Sequence, residues 1–390
     1  MKTAREFPSL MKTEIDLSAL AHNFNELRRL ASPTAAMMAV VKADGYGHGA
    51  IQVSETALAN GVSWLAVARM IEVVQLREAG IEAPLLMFGY CSPEYVTYLA
   101  AHQTSASVAS LESARLLSEA AGRSNSRLKV HIKVDTGMGR LGVVPDQLVA
   151  QGNSSEEMIQ AVQEVLTISR LPHLEIEGIY THFASADSSD KRYALRQLDL
   201  FMDLLEKLKT HGFEVPLRHA ANSAATIELP ESHLDLVRPG IAQYGLWPSN
   251  ETDRQLIDLK AVMSLKSQVI QVKDVPAGFK ISYGSTYETS GQTRIATIPV
   301  GYADGYDRLL SSRGAMLVGG VKVPIVGRVC MDLTMIDVSG VDGVETGDEV
   351  VLLGRQGNQQ ISAEEIAGLV GTINYEIVSS ITPRVEKVYI

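Results

Sequence analysis

Short apolar runs alternate with amphipathic stretches over the first two-thirds of the chain, and the alternation stops near residue 260. The runs AMMAVV (36–41), WLAVA (64–68), APLLMFG (83–89), LKVHIKV (128–134), EGIYTHF (177–183), PLRHAAN (216–222) and DLVRPG (235–240) predict strands, eight in all if TSASVAS (104–110) is included. Helical patterns separate them. DLSALAHNFNELRRL starts at Asp16 as N-cap and sets Leu20, Phe24 and Leu27 on one face. Ala50, Val53 and Ala57 keep helical spacing up to Gly61, and IEVVQLREAG is a helix stopped by Gly80. SLESARLLSEAAG has Ser110 as N-cap and Gly122 beyond its end. ALRQLDLFMDLLEKL is the clearest amphipathic helix, with Leu195, Leu198, Met202, Leu205 and Leu208 on one face. Repeated strand–helix units imply a parallel sheet, and eight of them favour an α/β architecture closed as a (β/α)8 TIM-type barrel over 1–259. From residue 260 to 390 the pattern is of short β-like runs punctuated by Gly, Pro and Asp, with one helical stretch, SAEEIAGLVG, near 362. This predicts a second, mostly β domain.

Bulk composition narrows the class. The chain has 390 residues, 46% of them hydrophobic, enough to bury a large core and to form two domains. A formal charge of −10 argues against nucleic-acid binding, which needs a basic face. Lys2, Arg5 and Lys12 are followed by Glu14 and Asp16 with no apolar h-region, so no signal peptide is read. No stretch reaches the ~18 apolar residues of a membrane helix. Cys91 and Cys330 alone make no disulfide framework. A cytoplasmic setting is expected. The repeat of MKT at 1–3 and 11–13 leaves Met1 and Met11 both open as starts.

Functional groups on such a barrel gather where the strands end. AVVKADGYGHG puts Lys42 directly after the first strand. The fifth strand runs into KVDTGMGRLG, with Lys133, Asp135 and Arg140; the sixth ends at His182, the seventh at Asn222-Ser223, the eighth at Arg238-Pro239-Gly240. A lysine desolvated in apolar surroundings near other cations has a lowered pKa and can form a Schiff base. Ser223 and the N–H groups after Pro239 suit a phosphate. An aldehyde carrying a phosphate suggests pyridoxal 5′-phosphate (PLP). The residues alone carry the reading as far as a barrel enzyme with a candidate Schiff-base lysine.

Taken together, AVVKADGYGHG, VDTGMGRLG, GIYTHFASAD, ANSAAT, VRPGIAQYG, ISYGSTY, GYADGY, VGRVCMD and TINYE resemble, in order, the motifs of the alanine racemase family, PLP enzymes of fold type III. The resemblance runs from about Glu14 to the C-terminus. It implies interconversion of L- and D-alanine, supplying D-alanine for peptidoglycan. It also implies a homodimer in which the β domain of one chain covers the barrel mouth of the other. Lys42 would carry PLP and act as one base, and Tyr283, from the other subunit, as the second. Tyr46, Ser223, Tyr375 and the backbone at Gly240 and Ile241 would hold the phosphate. Arg238 would face the pyridine nitrogen, with His182 linking it toward Tyr283. Arg140 would contact the phenolic oxygen and the substrate carboxylate, which the Met331 backbone would also bind. Lys133 matches a residue that is carbamylated in some members and orients the arginine. Tyr302, Tyr375, Asp187, Arg308 and Arg328 would line the entrance. Many members carry Asn-Ala where this chain has Asp44-Gly45.

Arg238 separates the alternatives within PLP chemistry. An arginine can only donate, so the ring nitrogen stays unprotonated and the electron sink is weak. A fold-III decarboxylase would put an acid there. A racemase preferring serine or a wider set of amino acids stays open. A non-catalytic PLP-binding protein, a single barrel, would lack the β domain with Tyr283, Met331 and Tyr375.

Overall fold

The computed structural model describes residues 9–145, 148 and 160–390; Met1, Lys2 and Arg5 lie outside them. The chain divides into two compact units. One comprises Ala21–Gly45 and Ala50–Leu259; the other holds the described residues up to Leu20, together with Tyr46–Gly49 and Lys260–Ile390.

The strand β1 (Met11–Ile15) lies in the second of these units. It pairs antiparallel with β10 (Met263–Gln268) and parallel with Glu386–Tyr389. Its sequence, MKTEI, buries Met11, Thr13 and Ile15 on alternate positions, but only two of these are apolar, so periodicity alone did not mark it as a strand.

The barrel unit holds eight parallel strands. They are β2 (Ala36–Val40), β3 (Trp64–Val67), β4 (Leu85–Met87), β5 (Thr104–Val108), β6 (Leu128–Lys133), β7 (Leu174–Tyr180), β8 (Leu217–His219) and β9 (Leu236–Val237). Each pairs with the next from β2 to β8, and β2 pairs with β9. Between β8 and β9, hydrogen bonds from Asp235 N to Arg218 O (3.1 Å) and from Arg238 N to Ala221 O (3.0 Å) bring the ends together. Most strand positions are buried on both faces, as a parallel sheet covered by helices requires, with exposure confined mainly to the start of β7.

Two helix readings change. The helix Leu111–Arg123 begins as expected at Ser110, whose hydroxyl accepts from Ser113 N at 3.2 Å. Gly122 does not follow its end but lies inside it. A Cβ there would meet the His173 ring at 2.9 Å, so the glycine serves a close helix–loop contact. In the helix Arg192–Thr210 the buried face is Ala194, Gln197, Leu198, Phe201, Leu204, Leu205 and Leu208. Leu195 and Met202, expected on that face, are exposed. The face turns because a polar residue belongs to it: Gln197 accepts from Ala184 N (2.9 Å) and donates to His182 O (3.3 Å), holding the loop after β7.

In the other unit, seven strands form one sheet, ordered Val321–Pro324, Ala315–Val318, Glu349–Gln356, β10, β1, Glu386–Tyr389, with Gln359–Ile361 paired to Glu349–Gln356. A three-stranded sheet and the hairpin Lys280–Ile281/Tyr287–Glu288 complete it. Ser362 caps the helix Ala363–Val370. Among the described residues no helix is long and apolar enough to cross a membrane.

Candidate active site

After β2 the chain enters a left-handed turn. Ala43, Asp44 and Tyr46 have φ of 52°, 53° and 53°, and Gly45 has 62°. A left-handed L-residue costs roughly 1–2 kcal/mol, so three of them mark a conformation imposed from outside. Glu72 contributes: its carboxylate accepts from Ala43 N (2.5 Å), Ala68 N (2.7 Å) and Arg69 N (2.8 Å). Asp44 Oδ1 accepts from Ala50 N at 2.9 Å. Aspartate and glycine both tolerate this region, which accounts physically for Asp44-Gly45. Lys42 stands at the head of the turn, two residues past the end of β2. Burial lowers its amine pKa, and Arg140 adds to the effect against the opposing charge of Glu72.

The loop after β6 is organised by one carboxylate. Asp135 Oδ1 accepts from the N–H groups of Gly137, Met138 and Gly139 at 2.8–3.0 Å, and Oδ2 from Arg140 N at 2.7 Å. These bonds outweigh the burial that would raise the Asp135 pKa and hold it below the carboxylate range. Lys133, at the end of β6, is buried and sits 4.5 Å over the Tyr180 ring. Burial, then Arg238 and Arg140, bring its pKa down to about 7. The Arg140 side chain is exposed.

Arg238 follows β9 and is buried. It donates to Thr181 O (2.9 Å) and Ala220 O (3.0 Å), contacts His219 Nδ1 at 3.0 Å and lies 3.5 Å from His182 Nδ1. Burial lowers its pKa to about 10, so it stays charged near neutrality. His182 is held well below the ordinary histidine value by burial, then by Arg238, Lys133, Arg140 and Lys42. The buried Ser223 hydroxyl accepts from Gly240 N (2.8 Å) and Ala242 N (3.3 Å), and Ile241 opens the short helical turn that follows. These barrel residues therefore meet at one rim, and their charges act on one another.

The remaining expected residues, Asp187 apart, lie in the other unit. The rings of Tyr46 and Tyr375 pack at 6.1 Å between centroids. Tyr283 is 73% exposed on a strained turn. Ser282 has φ 66° and ψ −177°, a region normally open only to glycine, and Gly284 and Ser285 are also left-handed. The Ser282 hydroxyl, donating to Arg328 O at 2.8 Å, fixes the turn. Met331 is 53% exposed. Its loop is held by hydrogen bonds from Tyr302 N to Cys330 O (3.0 Å) and from Ala303 N to Met331 O (3.1 Å), and Gly301 has no room for a Cβ there. Tyr302 and Arg308 are exposed and Arg328 half-buried; Asp187, half-buried, belongs to the barrel unit. Gly47 and Gly49 are fixed by contact, since a Cβ would meet Val378 O at 2.2 Å and the Tyr389 hydroxyl at 2.0 Å respectively.

Sequence reasoning missed Glu72, Gln197, the buried His131 and His219, and the half-buried Glu177. A signal for the last three existed: polar side chains inside runs that a parallel barrel buries on both faces.

The chain matches the family models for the N-terminal domain of alanine racemase over residues 15–248 and for its C-terminal domain over 262–389. It is 51% identical to the alanine racemase of Desulfosudis oleivorans, over 96% of this chain and 95% of that one. The structure of alanine racemase from Clostridium difficile superposes with a TM-score of 0.90 at 36% identity, covering 98% of this chain and 96% of that one. That of alanine racemase from Bartonella henselae, solved with covalently bound pyridoxal phosphate, gives 0.85 at 28% identity, over 98% and 100% of the two chains. The barrel with its lysine-headed rim, the β unit and these likenesses lead to one conclusion: the chain belongs to the alanine racemase family and is an isomerase.

Proposed function

We propose that this chain racemises alanine with PLP bound at Lys42, through a two-base mechanism in which Lys42 and the partner subunit's Tyr283 serve opposite faces of the substrate. The observation that carries the reading is the rim itself. Lys42, Lys133, Arg140 and Arg238 crowd together and depress one another's or His182's proton affinity, while Asp135 is spent on backbone N–H groups. A dianionic phosphate and a substrate carboxylate would relieve that excess of positive charge, so the residues fit the cofactor. When bound, PLP supplies the electron sink that acidifies the substrate α-hydrogen.

The chain's own residues do the rest. Ser223 with the Gly240 and Ile241 backbone, and Tyr46 and Tyr375, hold the phosphate. Arg238, donor only, faces the ring nitrogen and keeps it unprotonated. Arg140 and the Met331 backbone orient the carboxylate. Lys42, its proton affinity lowered, takes a proton from one face, and the phenolic oxygen of Tyr283 returns one from the other side. Exposure of Tyr283 and Met331 in a single chain supports a homodimer that completes the site. Lys133 also lines a cavity of about 310 Å³ with Phe88, Ser107 and Leu141, and a neutral buried amine reachable there favours carbamylation, giving Arg140 an anionic partner. D-Alanine made in a cytoplasmic setting would feed peptidoglycan, and the domain limits 1–259 and 260–390 are proposed with this reading.

The test is borohydride reduction of the purified protein followed by peptide mapping, beside a chiral assay with L- and D-alanine. A pyridoxyl group on Lys42 and interconversion of the two enantiomers are expected. Label on another lysine would overturn the assignment.

A further inference from the structure

Arg238 is a buried cation with no carboxylate against it among the described residues. It meets two backbone carbonyls and two imidazoles. An isolated buried charge is costly, so its compensation must lie further off. It lies along one line of contacts. Arg238 Nη1 is 3.0 Å from His219 Nδ1, His219 Nε2 is 2.8 Å from His131 Nδ1, and His131 Nε2 is 3.3 Å from Glu177 Oε2. Ser105 donates to the same carboxylate oxygen, and Lys129 Nζ binds its other oxygen at 3.0 Å.

We propose that Glu177 is a positioning residue for Arg238, its carboxylate fixing the proton direction through His131 and His219 and so holding the guanidinium as a donor toward the site. The proposal rests on the reading in which Arg238 faces the cofactor ring nitrogen. The direction follows from chemistry at the two ends. Arginine can only donate, and a carboxylate can only accept. Two neutral imidazoles between them satisfy both ends in a single way, each with its proton on Nε2 and Nδ1 bare. Burial keeps both rings neutral. Hydrogen bonds from His131, Ser105 and Lys129 outweigh the burial of Glu177 and hold its pKa at about 2. In such a chain each bond polarises the next, so the charge at Glu177 is felt at Arg238.

The barrel is shaped for this line. A Cβ on Gly178 would meet His131 Nδ1 at 2.5 Å, so only glycine leaves room for the ring. The β6–β7 ladder shifts register at Val130/His131. Tyr180 stacks on His219 with 4.8 Å between centroids, and Trp64 meets His131 edge-on at 5.5 Å.

NMR of the purified full-length protein labelled with [15N]histidine tests this without a variant. His131 and His219 are expected as Nε2–H tautomers; a proton on Nδ1 of either ring overturns the proposal. Glu177→Ala removes the final acceptor and should mix the tautomers of both rings. In the loaded enzyme it should also raise pyruvate formed per alanine racemised by about threefold or more, because the guanidinium is no longer held. Glu177→Gln, which keeps an acceptor oxygen, should restore the Nε2–H pattern. His219 signals and pyruvate yield unchanged in Glu177→Ala would overturn the proposal. Failure of the label to appear on Lys42 would instead remove the reading of the site and leave the tautomer pattern standing.

Discussion

The barrel rim and the Tyr283 turn hold their candidate site residues in opposite ways. At the rim, Lys133, Ser223 and Arg238 are buried, and Asp135 alone accepts four backbone N–H groups. Geometry there is enforced by packing. In the β unit, Tyr283 stands 73% exposed on a turn that spends three left-handed residues to present it. Strain retained beneath an exposed side chain fits the role proposed for Tyr283 in a second subunit's site. On the proposed reading, the contrast separates a site that is preassembled from a residue that is delivered to one.

Mutations should sort along that line. The largest effects belong to the two proposed bases. Lys42→Ala should abolish racemisation by at least ~10³-fold and remove the visible absorbance of the bound cofactor. Tyr283→Ala should lose activity comparably while keeping the absorbance and, being exposed, keeping stability within about 0.5 kcal/mol. A Tyr283→Ala variant that unfolds or comes without cofactor would erase the distinction between the two regions.

A smaller but more diagnostic change is Arg238→Glu. Racemisation should fall by roughly 10²-fold, and pyruvate formed per turnover should rise, because an acid favours a protonated ring nitrogen. The measurement is the partition between D-alanine and pyruvate. An unchanged partition would mean that Arg238 does not face that nitrogen.

The smallest effect is one of stability. Lys133 has its pKa lowered to about 7 in the folded chain, against an ordinary lysine value of 10.5. Between those values the unfolded chain binds more protons, so wild-type stability rises with pH across the window and gains nothing further above it. In CO2-free buffer Lys133→Met should therefore be more stable than wild type at pH 7, by about 1–4 kcal/mol, and the gap should narrow toward pH 10. Denaturant melts of both proteins across that range check the sign. A gap that widens with pH would refute the assignment of a desolvated amine.

What could be read in the sequence follows the same division. Most of the eight barrel strands were legible as apolar runs alternating with helical patterns, and Lys42, Arg140, Ser223 and Arg238 stood out as polar residues where those runs stop. β1 was not, because MKTEI buries a threonine and finds its partners about 250 and 370 residues away. Nor was the face of the helix Arg192–Thr210, since Gln197 turns inward for the sake of a loop and no periodicity in apolar residues reveals that. The line from Glu177 to Arg238 escaped for a related reason: its members come from different strands, and only the closed barrel brings them into contact. Tyr283 was found by motif resemblance alone, because its strain lies in backbone angles.

The central claim is that the preassembled rim of one chain is completed by the exposed tyrosine of another. Mixing Lys42→Ala and Tyr283→Ala proteins under conditions of subunit exchange tests it directly. A hybrid dimer has one site lacking both bases and one site with both. With random mixing half the dimers are hybrids, so activity should return from near zero to roughly a quarter of wild type. No recovery, with hybrids verified by mass spectrometry, would mean that Lys42 and Tyr283 act within the same chain.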